Sequence, residues 1–289
     1  MIRLAVVSGK GGTGKTVFAA SLAELLPGKK ILVDADVDAS NLPLLLSPEI
    51  QWERPFFGME NAHIIQERCL QCGACRNACR FGAIRLRENR YAVDPLRCEG
   101  CAACTLVCEA HAVTMQPHQC GTITCGSTGA GPLVYAQLFP GEGNSGLLVH
   151  ELKKIASKHE DDYDLMLVDG PPGTGCPLIS TVSGMDMVVV LTEPSVSGNH
   201  DLKRVIGVSQ RFHPRIRVVM NRADPDPDVS GSIEKFCQEH DIPVIGKIPF
   251  DESVIQAVRR GIPFSRTEGP ASQAIHTIAA YIARELGLR

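Results

Sequence analysis

The chain has 289 residues, 44% hydrophobic and 21% charged, with 29 basic against 32 acidic side chains and a formal charge of −3. That length can bury one large core or two smaller ones, and the composition excludes both intrinsic disorder and a nucleic-acid binder relying on a bulk basic field. No apolar run approaches the roughly 18 residues of a membrane helix, and the N-terminal run is too short for a secretory signal. A cytoplasmic protein without stable membrane insertion and without nucleic acid as a partner is expected.

Taken in order, residues 2–7 are a continuous apolar run that suits a buried parallel strand. They lead into Gly9-Lys10-Gly11-Gly12-Thr13-Gly14-Lys15-Thr16, and Val17 to Leu26 then shows helical apolar spacing up to Pro27-Gly28. Strand, glycine loop and helix form the context that a G-x4-G-K-[ST] motif requires. Glycines let backbone N–H groups close around phosphate oxygens, and the helix N-terminus adds its positive end. Gly11, Gly12, Thr13, Gly14, Lys15, Thr16 and Val17 are therefore expected to bind ATP. Lys15 is assigned to the β- and γ-phosphates and the Thr16 hydroxyl to Mg²⁺. Lys30 to Asp34 predicts the next strand, which ends in Asp34-Ala35-Asp36-Val37-Asp38. Carboxylates at a strand's C-terminal end lie where a doubly wound sheet binds its ligands.

Eight of the twelve cysteines follow. They read Cys69-x2-Cys72-x2-Cys75-x3-Cys79 and Cys98-x2-Cys101-x2-Cys104-x3-Cys108, each recurring 29 positions later. In a reducing compartment such clusters are metal or redox ligands rather than disulfides. C-x2-C pairs also build zinc sites. Three cysteines at x2 spacing and a fourth at x3 favour [4Fe–4S] clusters, the fourth thiolate of each run serving the other cluster. The repeat reaches beyond the cysteines: Ile64 aligns with Val93, and Ala83-Ile84 with Ala112-Val113. Residues 58–117 hold seven arginines and no lysine, which suits either a solvated basic face or an acidic redox partner.

Cys120 and Cys125 stand at x4 spacing, either as thiols open to metal or redox chemistry or as incidental loop residues. Tyr163 to Asp169 predicts another buried strand ending in a carboxylate, followed by Gly173 and Cys176. Met187–Leu191, Ile216–Met220 and Val244–Ile248 are three further strand-like runs separated by helical patterns, the sign of a parallel β-α sheet. Cys237 lies on an amphipathic helical stretch and reads as core. Ala274 to Leu286 has apolar residues at Ile275, Ile278, Ile282 and Leu286, and its polar face is too weakly basic for a membrane anchor.

The loop Lys10-Gly11-Gly12-Thr13-Gly14-Lys15-Thr16 resembles the deviant Walker A loop of MinD-type ATPases, a group that includes ParA proteins, the nitrogenase iron protein and Mrp-type cluster carriers. The resemblance covers nearly the whole chain. It implies that Lys10 reaches the partner's phosphates across an ATP-bound dimer, formed with a second copy or a related ATPase. It also implies that Asp36 orients the attacking water and belongs with Thr16 and Asp169 at Mg²⁺. Asp169 and Gly173 would form switch II, while Asn221, Arg222 and Pro249 border the adenine. The cysteine block resembles a bacterial two-cluster ferredoxin, with one cluster on Cys69, Cys72, Cys75 and Cys108 and the other on Cys98, Cys101, Cys104 and Cys79. It departs from that pattern at Arg80 and Glu109, where proline usually follows the fourth cysteine. Cys176 resembles a switch II cysteine that binds a cluster between subunits, yet Gly143-Asn144-Ser145-Gly146 offers no second cysteine.

The expected fold is α/β. A mostly parallel, doubly wound P-loop NTPase sheet from residues 1–57 and 118–289 would carry an inserted α+β bacterial-ferredoxin-like domain at 58–117. The expected function is a Mg²⁺-dependent, slow, partner-coupled ATPase that couples dimerisation and switch motion to electron transfer, with a redox or metallocofactor protein as partner. The alternative is an ATP-dependent cluster carrier or maturation factor. Mrp-type carriers place a C-x2-C pair late in the ATPase domain, whereas residues 220–289 hold only Cys237. A third reading is a redox-sensing positioning ATPase of the MinD or ParA kind.

Overall fold

The computed structural model describes residues 1–158, 160–223 and 227–289. The first strands and helices are β1 (Ile2–Ser8), α1 (Lys15–Leu25), β2 (Lys30–Asp34), α2 (Leu42–Leu46) and β3 (Glu49–Phe57). The cysteine block contributes β4 (Asn61–Ile64), α3 (Ala74–Ala78), β5 (Ile84–Arg87), β6 (Arg90–Val93), α4 (Ala103–Leu106) and β7 (Val113–Gln116). The remainder is β8 (Gln119–Thr128), β9 (Gly131–Leu138), α5 (Ser145–Ser157), β10 (Leu165–Pro172), α6 (Cys176–Val182), β11 (Met187–Thr192) and α7 (Val196–Ser209), then β12 (Arg215–Asn221), α8 (Pro227–Glu239), β13 (Val244–Ile248), α9 (Glu252–Arg259) and α10 (Pro270–Leu286).

Nine strands form one sheet in the order β13-β12-β11-β1-β10-β2-β9-β8-β3. Every resolved pairing from β13 to β9 is parallel. The expected strands at residues 2–7, 30–34, 187–191, 216–220 and 244–248 all form, within a residue or so at each end. β1 and β11 are apolar throughout because both sheet faces are covered. Alternate residues of β1 serve opposite layers. Leu4 and Val6 join Phe18 and Leu22 of α1 and Ile275, Ile278 and Ile282 of α10. Val7 instead faces the layer of α6, where a Cβ on Gly170 would strike both Val7 and Thr181. The C-terminal helix is thus a packing helix, with Ile275, Ile278, Ile282 and Leu286 all buried. Cys237 is likewise core. Among the described residues, no helix is long and apolar enough to cross a membrane.

The chain divides into two units, one of residues 1–54, 123–137 and 145–289 and the other of 55–122 and 138–144. The second runs beyond the expected 58–117 on both sides and gains residues 138–144. The sequence does not mark strands β3, β8 and β9. Their apolar residues follow neither strict alternation nor a continuous run, and β3 is exposed at eight of its nine positions.

Within the second unit the 29-residue repeat is visible in the backbone. β4 pairs antiparallel with β7, and β5 with β6, so the outer strand of each half pairs with the outer strand of the other. The repeat-equivalent residues pair crosswise, Ile64 opposite Val113 and Ile84 opposite Val93, so each ladder takes one member of each aligned pair. Left-handed φ angles also recur, at Gln71 (56°) and Gly100 (65°), Gly73 (77°) and Ala102 (59°), and Gly82 (61°) and His111 (48°). Each pair holds glycine in one copy and a side chain in the other, so the loop shape is set by more than local preference.

Candidate functional site

Ser8 ends β1 and Lys15 begins α1, so the intervening loop lies at the C-terminal edge of a central parallel strand. Gly12 and Gly14 take φ of 79° and 85°, which glycine alone adopts freely. A Cβ on Gly14 would lie 2.6 Å from Asn221 Nδ2. That amide donates to the Thr13 carbonyl at 2.7 Å, and so ties the loop to the end of β12. A cavity of about 560 Å³ opens over the loop. Its lining includes Lys10, Gly11, Gly12, Thr13, Gly14, Lys15, Thr16, Val17, Asp36, Asn221, Arg222 and Pro249, joined by apolar Leu44, Ile255 and Val258.

Lys15 is buried at the cavity floor, its Nζ 3.6 Å from Asp36 Oδ2 and 3.7 Å from Asp169 Oδ1. Asp169 is fully buried, and neither carboxylate oxygen accepts a hydrogen bond. Burial therefore raises its pKa against the pull of Lys15 and Thr16. Asp36 is raised by burial too, with Lys15 opposing and Asp169 and Asp38 adding to the rise. Two carboxylates converge beside the Thr16 hydroxyl, and one of them has both oxygens orphaned, which fits a hard, oxygen-seeking Mg²⁺. Gly173 sits at φ 88°, its N–H donating to the Ser8 carbonyl at 3.0 Å. Asp38 is exposed on the turn.

Two contributors were not singled out by sequence. Asp34 is buried, and accepts from Ser40 Oγ (2.8 Å), the Leu42 N–H (3.0 Å) and the Asp36 N–H (3.1 Å). It thereby shapes the whole turn that carries Asp36. Burial first, and then the Asp169 charge, push its pKa up to about 7. Glu193 is the second. Its carboxylate holds Lys10 Nζ at 3.3 Å and Arg222 Nη1 at 2.8 Å, while Lys10 also reaches Ser195 Oγ at 3.4 Å. The acid at the end of β2 was a visible signal for Asp34. Nothing in the sequence linked residue 193 to residue 10.

In the second unit, one cavity is lined by Cys69, Cys72, Cys75 and Cys108, and another by Cys79, Cys98, Cys101 and Cys104. Each takes three cysteines from one run and the fourth from the other. Cys75 and Cys104 are buried in the small apolar core with Ile64, Ile84 and Val113. The Ala62 and Ala112 N–H groups point at the sulfurs of Cys98 (3.4 Å) and Cys108 (3.3 Å). Apolar walls with amides aimed at sulfur suit thiolates that carry charge to a metal. Cys176 is exposed at the start of α6, and a Cβ on Gly146 would lie 3.1 Å from its own. The segment without a second cysteine is therefore the one beside it. Cys125 is buried in the first unit; Cys120, in the second, has His118 and Glu142 as neighbours.

The family model described as the CobQ/CobB/MinD/ParA nucleotide binding domain matches residues 4–264. Protein MJ0578 of Methanocaldococcus jannaschii is 32% identical over 224 residues, spanning 77% of this chain and 78% of the relative. The septum site-determining protein MinD of Bacillus subtilis is 24% identical over 98% of this chain and 89% of its own length. Among solved structures, the MinD of Pyrococcus horikoshii complexed with Mg-ADP aligns with a TM-score of 0.59 at 19% identity, covering 99% of this chain and 97% of that one. A Cyanothece McdA–ATP complex aligns with a TM-score of 0.57 at 17% identity, over 100% and 97%. At those identities the likeness is one of fold.

Proposed function

Because the chain belongs to the CobQ/CobB/MinD/ParA nucleotide-binding family, and is an ATPase with ATP and Mg²⁺ as its ligands, we propose that its nucleotide cycle governs electron transfer through two [4Fe–4S] clusters. One observation carries the reading: two cavities, each walled by four cysteines drawn from both runs. The thiols suit a cube better than a single ion. Among the described residues, no three of the eight bring their sulfurs within 4.8 Å of one another, whereas a tetrahedral zinc gathers its ligands about 2.3 Å from one centre. Clusters held by Cys69, Cys72, Cys75 and Cys108 and by Cys98, Cys101, Cys104 and Cys79 would supply one-electron chemistry.

On the nucleotide side, the loop amides from Gly11 to Thr16 and the α1 N-terminus bind the phosphates, and Lys15 neutralises charge as the terminal phosphate leaves. Thr16, Asp36 and Asp169 hold Mg²⁺, and Asp36 orients the attacking water. Asn221, Arg222 and Pro249 face the base. Lys10 leaves Glu193 to complete the site of a second subunit, so ATP binding favours a dimer, with a second copy or a related ATPase. Gly173 and the Asp36 turn then report the γ-phosphate. The turn leads through α2 and β3 into the cysteine-bearing unit, which begins at Pro55, a short covalent route for differential ATP affinity to act upon. A redox or metallocofactor protein would receive the electron.

The carrier alternative lacks its expected late thiol pair, and Cys237, the one cysteine in that region, is buried. Anaerobic EPR of the reduced protein with ATP, ADP or no nucleotide separates the two. Electron release that requires ATP while iron is retained supports gating. Unchanged spectra accompanied by passage of intact clusters to an apo-acceptor would overturn it.

A further inference from the structure

A third ligand-bearing group lies in the second unit, apart from the two thiol-lined cavities. His118, Cys120 and Glu142 each place a donor atom within 4.8 Å of the other two, and among the described residues they are the one such group of three or more His, Cys, Asp or Glu. His118 Nε2 stands 2.9 Å from Glu142 Oε1. Cys120 is 1% exposed.

The backbone explains the convergence. His118 and Cys120 flank the first residue of β8, and alternate positions on an extended chain share a face. Glu142 arrives from the turn after β9, held by the Phe139 N–H donating to the Cys120 carbonyl at 2.8 Å and the Glu142 N–H donating to the Phe139 carbonyl at 3.1 Å. A third passage closes the group. The Gly58 N–H approaches both the His118 carbonyl and Cys120 Sγ at 3.2 Å. A Cβ on Gly58 would lie 2.6 Å from that sulfur, so a side chain there would push the sulfur and the amide apart.

We propose that His118, Cys120 and Glu142 bind one zinc-class divalent ion, with water in the fourth position. Imidazole nitrogen, thiolate sulfur and carboxylate oxygen are the three donor types zinc accepts, and three protein ligands with one open position is a known zinc arrangement. Sulfur and nitrogen disfavour Mg²⁺ and Ca²⁺. The Gly58 amide stabilises negative charge on the sulfur, as outer partners of metal ligands do. The ion would pin together the chain just after it enters the unit (Gly58), shortly before it leaves (118–120), and the loop 139–142. This site stands whether or not the cysteine runs carry iron.

The test uses the full chain, purified anaerobically with its own iron and equilibrated with Zn²⁺. Zinc and iron are counted by mass spectrometry, and the zinc edge is read by X-ray absorption. One zinc per chain is expected, with a single sulfur near about 2.3 Å and lighter ligands at about 2.0–2.1 Å. Cys120→Ser, His118→Gln and Glu142→Gln should each weaken zinc more than about tenfold, and should abolish the zinc-dependent rise in Tm, while iron content stays unchanged. His118→Gln lies at the more exposed position and guards against a folding artefact in Cys120→Ser. Absence of zinc, its retention in all three variants, or a sulfur-only shell would overturn the proposal. The first of these outcomes would leave His118 and Glu142 as an ordinary hydrogen-bonded pair beside a buried thiol. Loss of the cluster reading would register separately, as missing iron.

Discussion

Lys15 sits between two carboxylates that burial makes reluctant to ionise, and the site's pH behaviour follows from that. Asp34, with its pKa pushed up to about 7, is more readily protonated in the folded chain than in the unfolded one, where a carboxyl titrates near about 4. The stability it contributes to the metal-free protein is present below about pH 4 and is lost as pH rises through about 7. Mg²⁺ prefers ionised oxygens, so at the proposed Mg²⁺ site protons would compete with it at Asp36 and Asp169, both raised in the same direction. The gap in Tm between Mg·ATP and EDTA samples should therefore widen as pH rises, and a constant gap would contradict this account. Lys15→Ala should cut ATP turnover by about a hundredfold or more. Lys10→Ala should impair turnover yet leave nucleotide affinity within a few-fold, measured by titration calorimetry. Undiminished turnover in Lys10→Ala would remove the proposed role in trans.

Elements carry a second set of expectations. α1 buries Phe18 and Leu22 against β1, and Phe18→Ala should destabilise the first unit by about 3–5 kcal/mol by denaturant titration, because little can collapse into the space. In the second unit the repeat makes a paired test available. Gly73→Ala adds a Cβ at φ 77°, 2.8 Å from Tyr91 Oη, and should cost at least about 1–2 kcal/mol. Its counterpart Ala102→Gly should be near neutral, since relief of that strain is offset by about 0.5–1 kcal/mol of backbone entropy. Equal effects from the two substitutions would contradict the argument that the loop shape is imposed by its surroundings. The hairpin of β5 and β6 turns at Glu88 and Asn89, both left-handed. Asn89 is at ease there and Glu88 is not, which leaves this turn poorly marked in the sequence.

At the scale of the molecule, the chain passes between the nucleotide unit and the cysteine-bearing unit four times rather than the two of a simple insert, at 54–55, 122–123, 137–138 and 144–145. An insert between residues 58 and 117 was expected from the position of the cysteines alone. The two extra crossings come from residues 138–144, which have neither cysteine nor apolar period to connect them with it. Proposed dimerisation is testable here. Sedimentation should show ATP shifting the wild-type chain toward a dimer, and Lys10→Ala reducing that shift. A wild-type chain that stays monomeric at saturating ATP would remove the basis for gating by association.

The glycine loop, the parallel strands, the packing helix at the C-terminus and the 29-residue cysteine repeat were all legible in the sequence, since each is a local pattern with a local physical cause. Glycines at fixed spacing, apolar runs and evenly spaced thiols need no partner from elsewhere to be recognised. The family match over residues 4–264 agrees with the nucleotide half of that reading. What tertiary structure alone decided were meetings between distant residues: Glu193 holding Lys10, Asp34 buried beneath the turn of Asp36, Gly146 beside Cys176, and Glu142 beside His118 and Cys120. Those contacts depend on how strands are ordered in a sheet and where loops return, and long-range pairing leaves no periodic trace along the chain.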